Sequence, residues 1–177
     1  MRKVIALVGS SSTGKSTVFE LLKLKLSNYA FLSESTRTVL NYGFNINENG
    51  DDATQLAILS YHLRSLLNPG NLVLDRCILD NYAYSMNLDN VQEYTRKYIL
   101  DTLSLVKNEY THIVYFPIEF ESVKDGVRSV NEEWRRQVDL SFKDLLETLY
   151  PNQFLTIYGS PKQRTEQILN YLNNGTK

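Results

Sequence analysis

The sequence predicts an α/β fold, a parallel sheet covered by helices on both faces, and three observations carry that expectation. Short apolar runs recur at 4–8, 29–32, 71–74, 112–116 and 153–158. The stretches between them repeat their apolar residues at helical spacing. A turn rich in Gly, Ser and Thr at 9–16 joins the first run to the first helical stretch, on the sheet edge where open α/β sheets bind ligands.

Each element follows from local chemistry. Val4-Ile5-Ala6-Leu7-Val8 is apolar throughout, as a strand covered on both faces requires. From Thr17 to Leu26 apolar residues stand at 18, 21, 22 and 26, which line one helix face. The segment 43–54 is polar and turn-rich, and reads as a mobile loop before a helix beginning near Ala53. Asn68-Pro69-Gly70 stops that helix and starts the third strand. After the fourth strand, Asp125-Gly126 marks a turn, and Ser129-x-x-Glu132 is a capping box opening a helix with Trp134, Val138, Phe142, Leu145 and Leu149 on one face. Ser160-Pro161-Lys162-Gln163 combines an N-cap, a proline at the first helical position and a capping-box Gln, so the last helix runs to about Asn173.

Composition narrows the class. With 177 residues, 42% hydrophobic and 22% charged, the chain reads as one globular domain over 1–177. A net charge of -1 and a pI near 6.1 give no global basic field for non-specific nucleic-acid binding. Arg2 and Lys3 precede an apolar stretch too short for a signal peptide or a membrane span, so no membrane association is expected. The single Cys77 excludes an internal disulfide and a Cys-based metal site; it fits a reducing, cytoplasmic compartment. His62 and His112 stand alone without ligand spacing and read as structural.

Gly9-Ser10-Ser11-Ser12-Thr13-Gly14-Lys15-Ser16 fits G-x-x-x-x-G-K-[ST] at every fixed position, between a strand and a helix. The glycines let the backbone curl into a nest of N–H groups, and the following helix adds the positive end of its dipole. Gly9, Ser12, Thr13, Gly14, Lys15, Ser16 and Thr17 are therefore the expected cradle for ATP, with Lys15 on the β/γ-phosphates and Ser16 on Mg²⁺. At the end of the third strand, Asp75 is the second expected Mg²⁺ residue and Arg76 faces the phosphoryl group in transit. Glu34, at the end of the second strand, is placed to orient an acceptor hydroxyl and take its proton, whereas Arg37 suits an acceptor that is already a phosphate. Gln55 and Asp80 are weaker acceptor-site candidates. Tyr82, Tyr84, Tyr42 and Phe44 are aromatic residues near the site with a base to stack or a core to fill. The cation-dense stretch at about 119–137 reads as a lid, with Arg128, Arg135 and Arg136 closing over phosphates.

Taken together, the P-loop, Ser33-Glu34-x2-Arg37, Gln55, Asp75-Arg76-x3-Asp80-x2-Ala83-Tyr84 and Asp125-Gly126-x-Arg128 resemble the P-loop ATPase/kinase domains that include the nicotinamide-riboside kinase region of NadR. More loosely, the Asp-Arg pair and strand-end Glu are similar to thymidylate and deoxynucleoside kinases. The resemblance covers roughly 1–145. It implies a five-stranded P-loop NTPase sheet, ATP-Mg²⁺ as phosphoryl donor, and a small nucleoside or nucleotide acceptor touched by Glu34, Arg37, Gln55, Asp80 and Tyr84. ATP rather than GTP rests on this analogy. Two rival expectations stand beside it: a kinase acting on a hydroxymethylated base or an end in DNA, which the near-neutral charge disfavours, and a nucleotide-gated switch without a chemical acceptor.

Overall fold

The computed structural model of the chain describes residues 2–33, 35–122 and 131–174. Glu34, Arg128 and the 123–130 part of the expected lid lie outside them.

Five parallel strands, β1 (Val4–Val8), β2 (Tyr29–Leu32), β3 (Asn71–Asp75), β4 (His112–Tyr115) and β5 (Phe154–Thr156), form one sheet in the order β2-β3-β1-β4-β5. Each coincides within two residues with an apolar run of the sequence. The order reverses direction at β1, so the loop leaving β1 emerges at the crevice where a doubly wound sheet binds ligands. Register pairs Leu7 with Asp75, which sets the end of β3 beside that loop.

Among the described residues seven α-helices cover the sheet: α1 (Lys15–Lys23), α2 (Thr36–Asn41), α3 (Asp52–Ser65), α4 (Ile78–Ser85), α5 (Glu93–Val106), α6 (Glu132–Leu149) and α7 (Pro161–Asn174). Because strand side chains alternate between faces, β1 feeds two cores. Val4, Ala6 and Val8 join side chains of α3 to α6 on one face. Ile5 and Leu7 join Val18, Phe19 and Leu22 of α1 and Ile168 and Leu172 of α7 on the other.

Local signals behave as their chemistry dictates, with two differences. The α7 box forms as expected: Gln163 N–H reaches Ser160 Oγ at 3.4 Å and Ser160 N–H reaches Gln163 Oε1 at 2.9 Å. The expected Ser129 cap of α6 falls outside the described residues, and the helix opens instead behind Asn131, whose Oδ1 accepts the Trp134 N–H at 3.1 Å. Glu132 is thereby released from a capping role and bonds Arg135 and Ser122. The second difference is in 43–54, which holds a turn of 3-10 helix at Asn47–Asn49 and then the α3 cap, Asp51, accepting from Thr54 N–H at 2.9 Å.

Candidate active site

The loop after β1 is shaped by residues in unusual backbone conformations. Gly9 has φ 139°, and a Cβ there would stand 2.5 Å from the Phe116 carbonyl oxygen. Gly14, at φ 86°, caps α1 from the left-handed region, and Ser12 shares that conformation at φ 55°. The Lys15 ammonium is buried across the loop, donating to Gly9 O at 2.7 Å, Ser10 O at 2.6 Å and Thr13 Oγ1 at 3.1 Å. Ser12 to Thr17 and Arg76 line the cleft that the loop encloses.

At the neighbouring strand end, Ser16 Oγ donates to Asp75 Oδ2 at 3.0 Å. A hydroxyl and a carboxylate this close are hard oxygen ligands of the kind Mg²⁺ takes, with its other positions left to phosphate and water. Among the described residues no group of three His, Cys, Asp or Glu side chains could hold a metal ion.

Arg76 is the pivot. Its backbone sits at φ 78°, a conformation an L-residue adopts at a cost on the order of 1 kcal/mol. The side chain spans two sites, with Nη1 3.4 Å from Gly9 O and 3.3 Å from Asp80 Oδ1, and the guanidinium 4.9 Å above the Tyr84 ring. Tyr84 in turn packs edge-on against Trp134 and Phe142.

Beyond Arg76 a mostly apolar cavity opens between α2, α3 and α4. Arg37, Gln55, Asp80 and Tyr84, expected from the sequence to touch an acceptor, all line it. Ile46, Ile58 and Leu88 supply the apolar wall, and Asn81 and His62 add polar groups that the sequence reading did not assign. Asn81 Nδ2 donates to Gln55 Oε1 at 2.7 Å, while Asn81 Oδ1 is buried with no hydrogen-bond partner. Burial pushes the Asp80 carboxyl up to about 6, against the opposing pull of Arg76 and then Lys15. Its Oδ2 accepts the Cys77 N–H at 3.0 Å, so Asp80 also caps α4. Cys77 is buried, and burial followed by the Asp80 charge holds its thiol well above the usual range.

The lid cations divide. Arg136 is exposed on α6. Arg135 is buried and donates through Nε to Ser11 O at 2.9 Å and through Nη2 to Ser12 O at 3.3 Å and Phe120 O at 2.8 Å. Its Nη1 meets Glu132, whose carboxyl the Ser122 hydroxyl and N–H, with help from Arg135, hold down at about 2. A second buried guanidinium, Arg164, reaches Thr13 O from α7 and was missed in the sequence. Its signal was present: 164, 168 and 172 fall on the apolar face of α7, where an arginine must find acceptors indoors.

Solved structures share this fold. The structure of deoxyadenosine kinase from M. mycoides superposes with a TM-score of 0.74 at 19% identity, over 97% of this chain and 98% of that one. NadR in complex with NR gives 0.78 at 17% identity over 97% of this chain and 52% of that one, so the chain spans about half of NadR's length. Thymidylate kinase from Candida albicans gives 0.69 at 18% identity, over 98% and 92%. No curated protein matches the chain. The model of the AAA domain family matches residues 4–164, and the phosphate loop, the Ser16–Asp75 pair and the five-stranded sheet all lie within that match. The chain therefore belongs to the AAA domain family of P-loop proteins and has the fold of nucleoside and nucleotide kinases.

Proposed function

We propose that the chain is a phosphotransferase that moves the γ-phosphoryl group of ATP to a nucleoside, a nucleoside monophosphate or a modified nucleotide. The observation that carries this reading is Arg76, which lines both the phosphate-loop cleft and the cavity between α2, α3 and α4. A switch that only hydrolyses nucleotide has no need of a second, largely apolar cavity joined to the first by a guanidinium.

In this reading the loop from Gly9 to Thr17 holds the donor phosphates, and Lys15 leaves its carbonyl partners for the β/γ-phosphates. Ser16 and Asp75 would hold Mg²⁺, which when bound would supply positive charge against that developing on the transferred group. Arg76 stabilises the three equatorial oxygens in flight from its position between the sites. Gln55, Asn81 and Tyr84 bind the acceptor, with Arg37 at the rim of the same cavity. Glu34 and Arg128 complete the proposed set as acceptor-orienting carboxylate and lid cation.

The test is direct. Incubation with Mg²⁺-ATP and a panel of nucleosides, monophosphates and hydroxymethyl-bearing DNA should yield ADP and one phosphorylated acceptor by mass spectrometry. ADP formed at the same rate with every acceptor, and no phosphorylated product, would overturn the reading in favour of a nucleotide-gated ATPase.

A further inference from the structure

Three consecutive carbonyls of the phosphate loop point at buried arginines. Ser11 O and Ser12 O accept from Arg135 of α6, and Thr13 O accepts from Arg164 of α7 at 2.5 Å. Both side chains are almost entirely enclosed, at 1% and 0% exposure, and each is held by its own carboxylate, Arg135 by Glu132 and Arg164 by Glu119. Glu119 is itself fixed by the Gly159 N–H at 3.1 Å, and the Arg164 guanidinium lies 5.0 Å from the Phe120 ring and 5.6 Å from that of Phe116. These guanidinium groups are committed to backbone and carboxylate oxygens.

Peptide planarity turns those bonds into a statement about the donor site. In a trans peptide the carbonyl of one residue and the N–H of the next point in opposite directions. Carbonyls of Ser11, Ser12 and Thr13 drawn toward buried arginines therefore turn the N–H groups of Ser12, Thr13 and Gly14 away from the interior, toward the open cleft. Those are the donors that a phosphate-binding nest requires.

We propose that Arg135 and Arg164 are positioning residues that hold the nest preformed, acting on the nucleotide through the loop backbone rather than by touching its phosphates. The inference rests on the phosphotransferase reading for the identity of the anion. It assigns to α6 and α7, elements far from the loop in sequence, control over donor affinity.

The experiment measures binding of Mg²⁺-ATP and of inorganic tripolyphosphate to the full chain by titration calorimetry, for wild type, R164M, R164K and R135K. R164M is expected to weaken both probes by the same factor, about tenfold to hundredfold, because the lost element reads phosphate and not the base. R164K should recover part of that loss, since one ammonium can serve Thr13 O or Glu119 but not both with the geometry of a fork. If R164M does not fold, R164K and R135K carry the test, each with an expected loss of at least about threefold for both probes. Folded variants that bind both probes as wild type does would overturn the inference alone. Wild-type protein that binds neither probe would overturn the phosphotransferase reading and this inference with it. A loss for ATP without a loss for tripolyphosphate would also overturn it, by moving the effect to the base.

Discussion

The two halves of the candidate site are built in opposite ways. On the donor side, contiguous residues from Gly9 to Thr17 present backbone groups, and helix and strand neighbours hold them still. On the proposed acceptor side, single side chains arrive from α2, α3 and α4 and from the 3-10 turn at Asn47, with gaps between successive ones as wide as that from His62 to Asp80. As proposed, the donor half meets a feature common to all nucleotides, a chain of phosphates, for which a backbone nest suffices. The proposed acceptor half has to distinguish molecules, which takes shape and placed polar groups. Arg76 lines both, from a backbone position at φ 78°.

That contrast is most sharply broken by substitutions that act on one half. Lys15→Ala should lower turnover by about three orders of magnitude or more while the far-UV circular dichroism and the melting temperature stay near wild type. Full activity in that variant would remove the donor assignment. Arg76→Met, at the junction, is expected to cost about 10²–10³ in kcat and to raise KM for both substrates. Arg76→Lys should restore little of it, because an ammonium that takes over the two Nη1 contacts still lacks the planar guanidinium stacked on Tyr84 and its remaining N–H donors.

Gln55→Leu acts on the acceptor half alone. It strips Asn81 Nδ2 of its 2.7 Å partner in a buried setting, and a rise of about tenfold in acceptor KM with an unchanged KM for ATP is expected from steady-state kinetics. Equal changes in both constants would mean that the halves are not separable.

The smallest effect separates the halves by pH. The folded chain binds the Asp80 proton more tightly, at about 6, than the ordinary value of 3.8. The folded state therefore takes up a proton between those values, and this group makes stability fall as pH rises from about 4 to about 6, the cost being fully present above. Asp80→Asn removes that component and keeps an oxygen for the Cys77 N–H. Its melting temperature relative to wild type should improve by a few degrees between pH 4 and pH 7.5, read by differential scanning fluorimetry. A difference that stays flat with pH would mean that the carboxyl is as well compensated by Arg76 and Lys15 as it is in water.

Lid residues show where a linear reading stops. A cation-dense stretch drew notice to 135 as a lid residue, but charge density does not say what a guanidinium faces. Arg135 is turned inward to the loop carbonyls and Arg136 outward to solvent, although the two are adjacent. Helical geometry separates neighbouring residues by about 100°, so one position of a helix is committed to the core while the next is not. Asn131 displaced the expected Ser129 cap for a related reason. Several residues near a helix start have capping side chains, and the packing of Trp134 against Tyr84 and its bond to Asn87 O decide where the first turn begins.

What the sequence determined by itself is the parallel sheet, the succession of strands and helices along the chain, and the phosphate-loop motif. Each depends on residues close in the chain: apolar runs that must be buried on both faces, glycines that adopt left-handed backbone at little cost, and a lysine and hydroxyl at fixed offsets from them. Only the tertiary structure decided which way the loop's peptides turn and what forms the acceptor cavity. The Arg135 bond to Ser11 O spans 124 residues and the Arg164 bond to Thr13 O spans 151, distances over which no periodicity survives. Asn81 and His62 enter the cavity because α3 and α4 pack side by side behind β3, and that meeting of faces exists only once the sheet has formed.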